Sequence, residues 1–325
     1  MGKKNKEKPF FYGGQAVMEG VMMRGRRSYC LAVRNPQGEI ETRMGVAKSS
    51  PIMDTLGKIP ILRGVVRLGS SMVIGMKVMM DSAEISGMDV EEAPSKLDLW
   101  LEKKFGDKLT KYIIFLAVAV SLAISVGLFM VLPTWLSGFL APLLGDNLWA
   151  LGIIEGVVRL GIFLIYLIIM TRIKEIRRVF QYHGAEHKVL ACHEAGEDLN
   201  TENIRRHNRL HRRCGTSFLL FVMIISMIFF LFVRTDVLWL RIASRILFVP
   251  FIAGISYEVI RWAGASRLKI VRVVSFPGMM LQKLTTAEPD DGQIEVAVAA
   301  LEGLIAQEEG AKVPVEAEVV EIDEH

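Results

Sequence analysis

Long runs of apolar residues divide this chain into segments inside and outside a membrane. A helix needs about 20 mainly apolar residues to cross the hydrocarbon core of a bilayer. Four runs pass this length test and predict membrane spans at residues 112–132, 148–170, 216–233 and 238–259. The pattern is typical of an α-helical polytopic membrane protein of about four spans with a small cytosolic α+β portion.

The distribution of Lys and Arg around these runs predicts their orientation. Basic clusters precede the first and third spans and follow the second and fourth. The loops on the opposite side, residues 133–147 and 234–237, carry only Asp146, Arg234 and Asp236 as charged residues. By the positive-inside rule both termini lie in the cytosol. We therefore expect a multi-pass protein of the cytoplasmic (inner) membrane, with membrane lipids as partners.

The segments on the N-terminal side of the spans carry other patterns. Residues 1–8 form a basic tail, and residues 9–60 are predicted to be a β-rich cytosolic segment. Within it, two short runs flank an Asn-Pro-Gln-Gly turn, which is typical of a hairpin. Residues 61–80 are apolar but interrupted by basic side chains, which favours an interfacial helix over a fifth span.

The remaining boundaries follow from the same patterns. The spans form two pairs, 112–170 and 216–259, separated by a cytosolic His/Arg-rich segment at 171–215. Residues 260–309 are predicted to be helical, with the last helix capped near Asp290 and Asp291. Residues 310–325 form an acidic tail that we expect to be disordered.

Composition supports the membrane assignment and excludes some functions. Hydrophobic residues make up 51% of the chain and charged residues 23%, values that agree only if the apolar residues are concentrated in spans. The net charge of +4 is modest and indicates no nucleic-acid partner. The three cysteines, Cys30, Cys192 and Cys214, form no C-x-x-C pair and lie in segments predicted to be cytosolic, so we expect reduced thiols.

The clearest chemical motif is His-Gly-Ala-Glu-His at residues 183–187. On a helix, His183 and His187 lie one turn apart on the same face, with Glu186 beside them. This is the H-x-x-E-H arrangement of inverted zinc peptidases, in which two imidazoles hold the metal and the carboxylate activates its water. The alternative is that these histidines are interfacial residues at an arginine-rich helix end.

Several other residues are candidates for completing a metal site. His211 and Cys214 precede the third span, and Glu258 closes the fourth, so the predicted topology brings all three to the cytosolic membrane boundary. Inverted zinc peptidases take their last ligand from a downstream glutamate, which makes Glu258 the candidate here. His207 is predicted to be a solvated surface residue, because neighbouring arginines would repel a cation.

Two acidic positions outside the spans are further candidates. Glu19 lies in a glycine-rich run that lacks any nucleotide-binding spacing, and it is either a polar group presented to a ligand or part of a strand with tight turns. Glu288 belongs to an acidic cluster at a helix start, where capping explains most of the charge and metal ligation is the alternative.

Charged residues also occur inside the predicted spans. Glu155 and Arg159 lie in the second span, and Arg245 lies in the fourth. Charges in hydrocarbon are costly, so these residues should either pair as a structural ion pair or line a polar path.

Four motifs together resemble a known family. The stretches 11–24, 178–188, 213–218 and 286–291 are similar to those of the YqhQ-like bacterial membrane proteins, an uncharacterised family labelled predicted metal-dependent enzyme. The resemblance extends over about residues 10 to 305. One departure is Arg212, which stands where the family pattern has Pro. The resemblance implies that the family's motif positions are site residues, namely Glu19, His183, Glu186, His187, His211, Cys214 and Glu288.

These observations lead to one leading hypothesis and two alternatives. The leading hypothesis is a divalent-metal site, with zinc as the ion, at the cytosolic membrane face of a metal-dependent hydrolase. In it Glu186 is the catalytic base, and Glu19 is a second catalytic candidate. One alternative is a membrane scaffold or assembly factor that binds a protein partner through its cytosolic face. The other is a transporter or channel that uses Glu155, Arg159 and Arg245. A homo-oligomer remains open.

Overall fold

The structure is a computed structural model of the chain. It describes residues 12–26, 28–47, 51–87, 108–144, 147–211, 214–233, 237–265, 269–309 and 317–320. The predicted basic tail at residues 1–8 lies outside these ranges. The chain forms two compact units. The first comprises Met1–Met88, Met170–Leu220 and Gly254–His325, and the second comprises Asp89–Ile169 and Phe221–Ala253.

The first unit contains a five-stranded sheet in which neighbouring strands follow one another in chain order. This sheet confirms the small β portion that the sequence predicted. Its strands are β1 (Gly13–Val17), β2 (Gly20–Arg24), β3 (Ser28–Arg34), β4 (Ile40–Ala47) and β5 (Ala317–Val320). The first four strands pair antiparallel. The turn between β3 and β4 is the predicted one, and Gly38 adopts a φ of 89° that favours glycine.

The fifth strand comes from the predicted acidic tail. Ala317–Val320 pairs parallel with β4, with Met44 opposite Ala317. These four residues form a strand within the tail at 310–325 that the sequence predicted to be disordered, and the rest of that tail lies outside the described residues. Two consecutive valines favour an extended strand once the edge of a sheet supplies hydrogen-bond partners. Composition alone does not reveal that edge.

Helices make up most of the remaining structure. In chain order the described helices are α1 (Pro51–Leu56), α2 (Leu62–Ile85), α3 (Lys108–Val126), a π-helix (Gly127–Val131), α4 (Leu132–Leu144), α5 (Leu148–Met170), α6 (Lys174–Ala195), α7 (Thr201–Arg206), α8 (Thr216–Phe232), α9 (Leu238–Ala265), α10 (Lys269–Thr285) and α11 (Asp291–Glu308). Asp290 caps α11 through a reciprocal capping box with Gln293, as the sequence predicted for this helix start.

Both faces of the sheet are covered, so its central strands are apolar without alternation. Helices α6 and α11 pack on one face, where the core contains Met23, Cys30, Tyr182, Ala185 and Leu301. Helix α2 packs on the other face through Ile74, Val78 and Ile85. When a sheet is buried on both sides, its strands have no polar face, so apolar and polar residues do not alternate along them. This arrangement presents the middle of α6 to the interior of the unit.

The membrane prediction is confirmed in part. Three helical stretches are long and apolar enough to cross a bilayer: Leu116–Leu140, Trp149–Met170 and Trp239–Trp262. Helix α8 is apolar but shorter, with 17 residues. The chain is thus consistent with a membrane protein, while the count of four spans is not established.

The first membrane stretch is longer than predicted. The sequence places its end at residue 132, yet the helical run continues through the π-helix to Leu144. Pro133 has no N–H to donate to the carbonyl of Phe129 four residues earlier. Arg159 Nε donates to that carbonyl instead, at 3.0 Å. The helix therefore passes the proline with its carbonyl satisfied.

Candidate metal centre

Helix α6 brings the two motif histidines together. Residues 184–190 in its middle are all buried, and Gly196 ends the helix in the left-handed conformation with a φ of 73°. The rings of His183 and His187 lie one turn apart with centroids separated by 4.4 Å. The helical spacing that the sequence predicted is therefore present in the fold.

Backbone carbonyls orient both imidazoles. His183 Nδ1 lies 2.8 Å from the carbonyl oxygen of Thr285, and His187 Nδ1 lies 2.5 Å from that of Arg209. A carbonyl oxygen can only accept, so each Nδ1 carries a proton, and the tautomer that these bonds select has its lone pair on Nε2. Histidines that bind metals usually donate their other ring N–H to a carbonyl or carboxylate in this way, which fixes the tautomer and the ring orientation.

Cys214 places a third possible ligand atom beside the two histidines. The possible ligand atoms of His183, His187 and Cys214 all lie within 4.8 Å of one another. Cys214 Sγ is 3.2 Å from His183 Nε2, close to the separation of about 3.5 Å that N and S ligands have around tetrahedral zinc. Thr216 places its hydroxyl 3.0 Å and its N–H 3.4 Å from the same sulfur. Donors of this kind can hydrogen-bond to a metal-bound thiolate.

His211 lies beside this cluster. Its ring centroid is 5.6 Å from that of His187, and its Nε2 is 3.5 Å from a carboxylate oxygen of Glu194. Gln282 holds the backbone of His211 at both ends, accepting from its N–H at 2.8 Å and donating to its carbonyl at 2.8 Å. Sequence reasoning missed Gln282, because a glutamine in an amphipathic helix carries no distinctive signal before its neighbour is known.

Glu186 points toward the sheet. Its side chain is buried against β1, so that a Cβ on Gly14 would lie 2.8 Å from the carboxyl carbon. Burial raises the pKa of Glu186, while His183 and the backbone N–H of Gly14 act in the opposite direction. A side chain at position 14 would displace the carboxylate, so glycine leaves the room that Glu186 occupies.

Two side chains of α6 that precede the His-Gly-Ala-Glu-His motif bind the carboxylate of Glu19. Arg178 donates from both Nε and Nη2 to the two carboxylate oxygens of Glu19. Tyr182 donates to the same carboxylate at 3.3 Å, and burial together with the charge of Glu19 raises the pKa of Tyr182. Glu19 therefore fixes the residue that precedes His183 rather than joining the ligand atoms.

The other two predicted acidic ligands have partners elsewhere. Glu258 accepts from Arg63 Nε at 2.6 Å and from the backbone N–H of Ile61 at 3.4 Å. Glu288 pairs with the buried ammonium of Lys188. The possible ligand atoms that converge are thus those of His183, His187 and Cys214, without the downstream glutamate that the peptidase analogy predicted.

The second unit contains the intramembrane charges, and they meet at one carboxylate. Glu155 Oε1 accepts from Arg159 Nη2 at 2.8 Å, from Arg245 Nε at 2.7 Å and from the hydroxyl of Thr134 at 2.9 Å. All three charged side chains are buried. Arg245 also lies 4.8 Å from the ring centroid of Phe230. One carboxylate and two guanidinium groups carry a net charge of +1.

The match to known proteins is extensive. The family model described as "Protein of unknown function (DUF1385)" matches residues 59–307. The chain belongs to this family. It is similar to "Uncharacterized protein YqhQ" of Bacillus subtilis (strain 168), with 37% identity over 302 residues, 92% of this chain and 94% of that relative. The predicted family resemblance is thereby confirmed. No solved structure matches the chain.

Proposed function

We propose that this protein is a membrane protein that binds one zinc ion through Nε2 of His183, Nε2 of His187 and Sγ of Cys214. The observation that carries the proposal is the pair of hydrogen bonds that Nδ1 of each ring donates to a backbone carbonyl, together with the contact of His183 Nε2 with the sulfur. Two imidazoles and a thiolate form a donor set that suits zinc better than magnesium or calcium, which prefer oxygen ligands.

The class of reaction that best suits this donor set is hydrolysis. Three protein ligands leave a fourth position, as in catalytic zinc sites, and zinc bound there would lower the pKa of a water molecule to about 7. Two groups beside the ligands are candidates for accepting a proton. The first is Glu186, which precedes His187 in the chain but lies against Gly14. The second is His211, whose ring lies next to that of His187 and is oriented by Glu194.

A structural zinc site is the second candidate function. The proximity of His211 to His187 favours it, since a fourth protein ligand would close the tetrahedron and leave no position for water. In that case the ion would tie α6 to the segment before α8, and the protein would act as a scaffold or assembly factor.

The proposed location of the site is the cytosolic face of the inner membrane. Cys214 lies two residues before the apolar helix α8, and basic residues are concentrated in the segment that precedes it. The positive-inside rule places such a segment in the cytosol.

The test is metal analysis of the full chain purified in detergent and supplied with zinc. We expect one tightly bound equivalent at this site, which is lost in His187→Ala and in Cys214→Ser. His193→Gln is the matched control, because His193 lies on the same helix with its ring against Tyr12 and should leave binding unchanged. A zinc stoichiometry that does not fall by one ion per chain in either ligand variant would contradict the proposal.

X-ray absorption spectroscopy then separates the two functions. A catalytic site predicts two nitrogen ligands from histidine, one sulfur and one oxygen from water, with the same histidine count in His211→Ala. A structural site predicts three histidine nitrogens and one sulfur, with one nitrogen lost in that variant. Either spectrum without sulfur would refute the assignment of Cys214.

A further inference from the structure

A second group of metal-ligand side chains lies at the other end of α6. The possible ligand atoms of Cys192, Glu197 and His207 all lie within 4.8 Å of one another. His207 Nε2 is 3.3 Å from a carboxylate oxygen of Glu197. Cys192 is completely buried, while the other two side chains are partly open to solvent. The group shares no residue with the zinc site proposed above.

The local chain path assembles this group. Gly196 takes the left-handed conformation, and the N–H of Glu197 then donates to the carbonyl of Cys192 at 3.2 Å. This turn folds Glu197 back over the last turn of α6. Asn200 caps the start of α7 by accepting from the N–H of Asn203 at 2.9 Å, and His207 is the capping residue after its end. Each ligand is therefore positioned by a helix end rather than by a long loop.

The surroundings of Cys192 favour a cation. Its Sγ lies 3.5 Å from the carbonyl oxygen of Asp198 and 3.9 Å from that of Glu197. The carboxylates of Glu197 and Asp198 add negative charge close to the sulfur. The carbonyl end of α6 adds its own negative potential at this point. A metal ion would offset all of these charges and would displace the thiol proton.

Two of the arginines that the sequence places near His207 pair with carboxylates. Arg205 pairs with Asp291 at 2.5 Å, and Arg206 pairs with Glu202 on the same helix. The sequence predicts a solvated His207 because of repulsion by Arg205, Arg206, Arg209, Arg212 and Arg213. The carboxylates beside the first two arginines reduce their share of that repulsion.

We propose that Cys192, Glu197 and His207 form a second site for a divalent transition-metal ion. One sulfur, one oxygen and one nitrogen donor suit zinc and cobalt rather than magnesium. The ion would tie residues 196–207 to the end of α6. That segment leads directly to Arg209, whose carbonyl orients His187. The proposal goes beyond the zinc site and does not depend on it.

Cobalt is the probe that tests this site, because a cobalt–thiolate bond gives a charge-transfer absorption band. The experiment uses the full chain in detergent with His183→Ala and Cys214→Ser, which removes the first site. We expect one cobalt ion per chain with a thiolate band. The band should vanish in Cys192→Ser and persist in Cys30→Ser, a control that changes another buried thiol.

A second variant keeps the test decisive if Cys192→Ser folds poorly. His207→Gln changes a partly exposed side chain, so its fold, checked by circular dichroism, should be retained. We expect its cobalt affinity to fall at least tenfold, and Glu197→Gln should behave in the same way. In the otherwise unmodified chain, His207→Gln should lower cobalt stoichiometry by one. A thiolate band of unchanged affinity in His207→Gln, or no thiolate band in the parent protein, would overturn the proposal.

Discussion

His183 Nδ1 donates a hydrogen bond of 2.8 Å to the backbone carbonyl of Thr285, at the end of α10. This bond turns the opposite nitrogen of the ring toward Cys214, 3.2 Å away. The two residues are 102 positions apart in the chain, so the ring orientation depends on how α10 packs beside α6. The proposed ligand set is therefore oriented by hydrogen bonds between distant parts of the chain.

The first prediction concerns thiol reactivity. Burial raises the pKa of the Cys30 thiol to about 12, so at pH 8 almost none of it is the reactive thiolate. We expect Cys30 to resist alkylation in the folded chain with or without zinc. Cys214 should be protected by zinc and modified after chelation. Peptide mass spectrometry measures each site separately, and equal labelling of Cys214 in both conditions would contradict its role as a ligand.

The second prediction concerns stability. An ion that binds only the folded state stabilises it by about 2.7 kcal/mol when its free concentration is 100 times the dissociation constant. Zinc should therefore raise the unfolding temperature of the wild-type chain in detergent. In His183→Ala/Cys214→Ser the increase should be smaller, because the first site no longer binds. An undiminished increase in this variant would mean that zinc stabilises the protein through other residues.

The third prediction concerns Gln282, which is fully buried and hydrogen-bonds to both backbone groups of His211. Gln282→Leu removes both bonds and leaves polar groups without partners, at a cost of about 1–3 kcal/mol in the free energy of unfolding. Gln307 is the matched control, since its Oε1 is the buried side-chain atom that lacks a partner among the described residues. Gln307→Leu should cost clearly less. Chemical denaturation of both variants checks this, and equal losses would argue against the role of Gln282.

The fourth prediction concerns the charges around Glu155. Glu155→Gln leaves two buried guanidinium groups without a carboxylate, and removing one partner of a buried ion pair typically costs about 3–5 kcal/mol. Arg245→Met leaves the neutral pair of Glu155 and Arg159, so it should cost less. Thermal unfolding in detergent compares the two. If Arg245→Met is the more damaging change, packing by the arginine outweighs charge balance.

A double variant tests whether Glu155 stabilises the protein mainly by balancing the charge of Arg245. The double variant Glu155→Gln/Arg245→Met carries the same net charge as the wild-type group, so it should recover part of the stability that Glu155→Gln loses. A double variant whose loss of stability equals the sum of the two single losses would show that the two residues do not interact.

The sequence alone determined the features that depend on residues close to one another along the chain. The spacing of His183 and His187 places both rings on one helical face wherever the helix lies, because the helical repeat is local. The apolar runs and the β3–β4 turn follow from local geometry in the same way. The capping box at Asp290 likewise needs only Gln293, three residues later.

Only the tertiary structure decided which distant side chains meet. Glu258 pairs with Arg63, 195 positions earlier, and Gln282 holds His211, 71 positions away. Cys214, rather than Glu258, therefore lies beside the two histidines. Periodicity predicts which face of an element is buried, but the partner on that face depends on how separate elements pack. That packing is a collective property of the core and is not contained in any single motif.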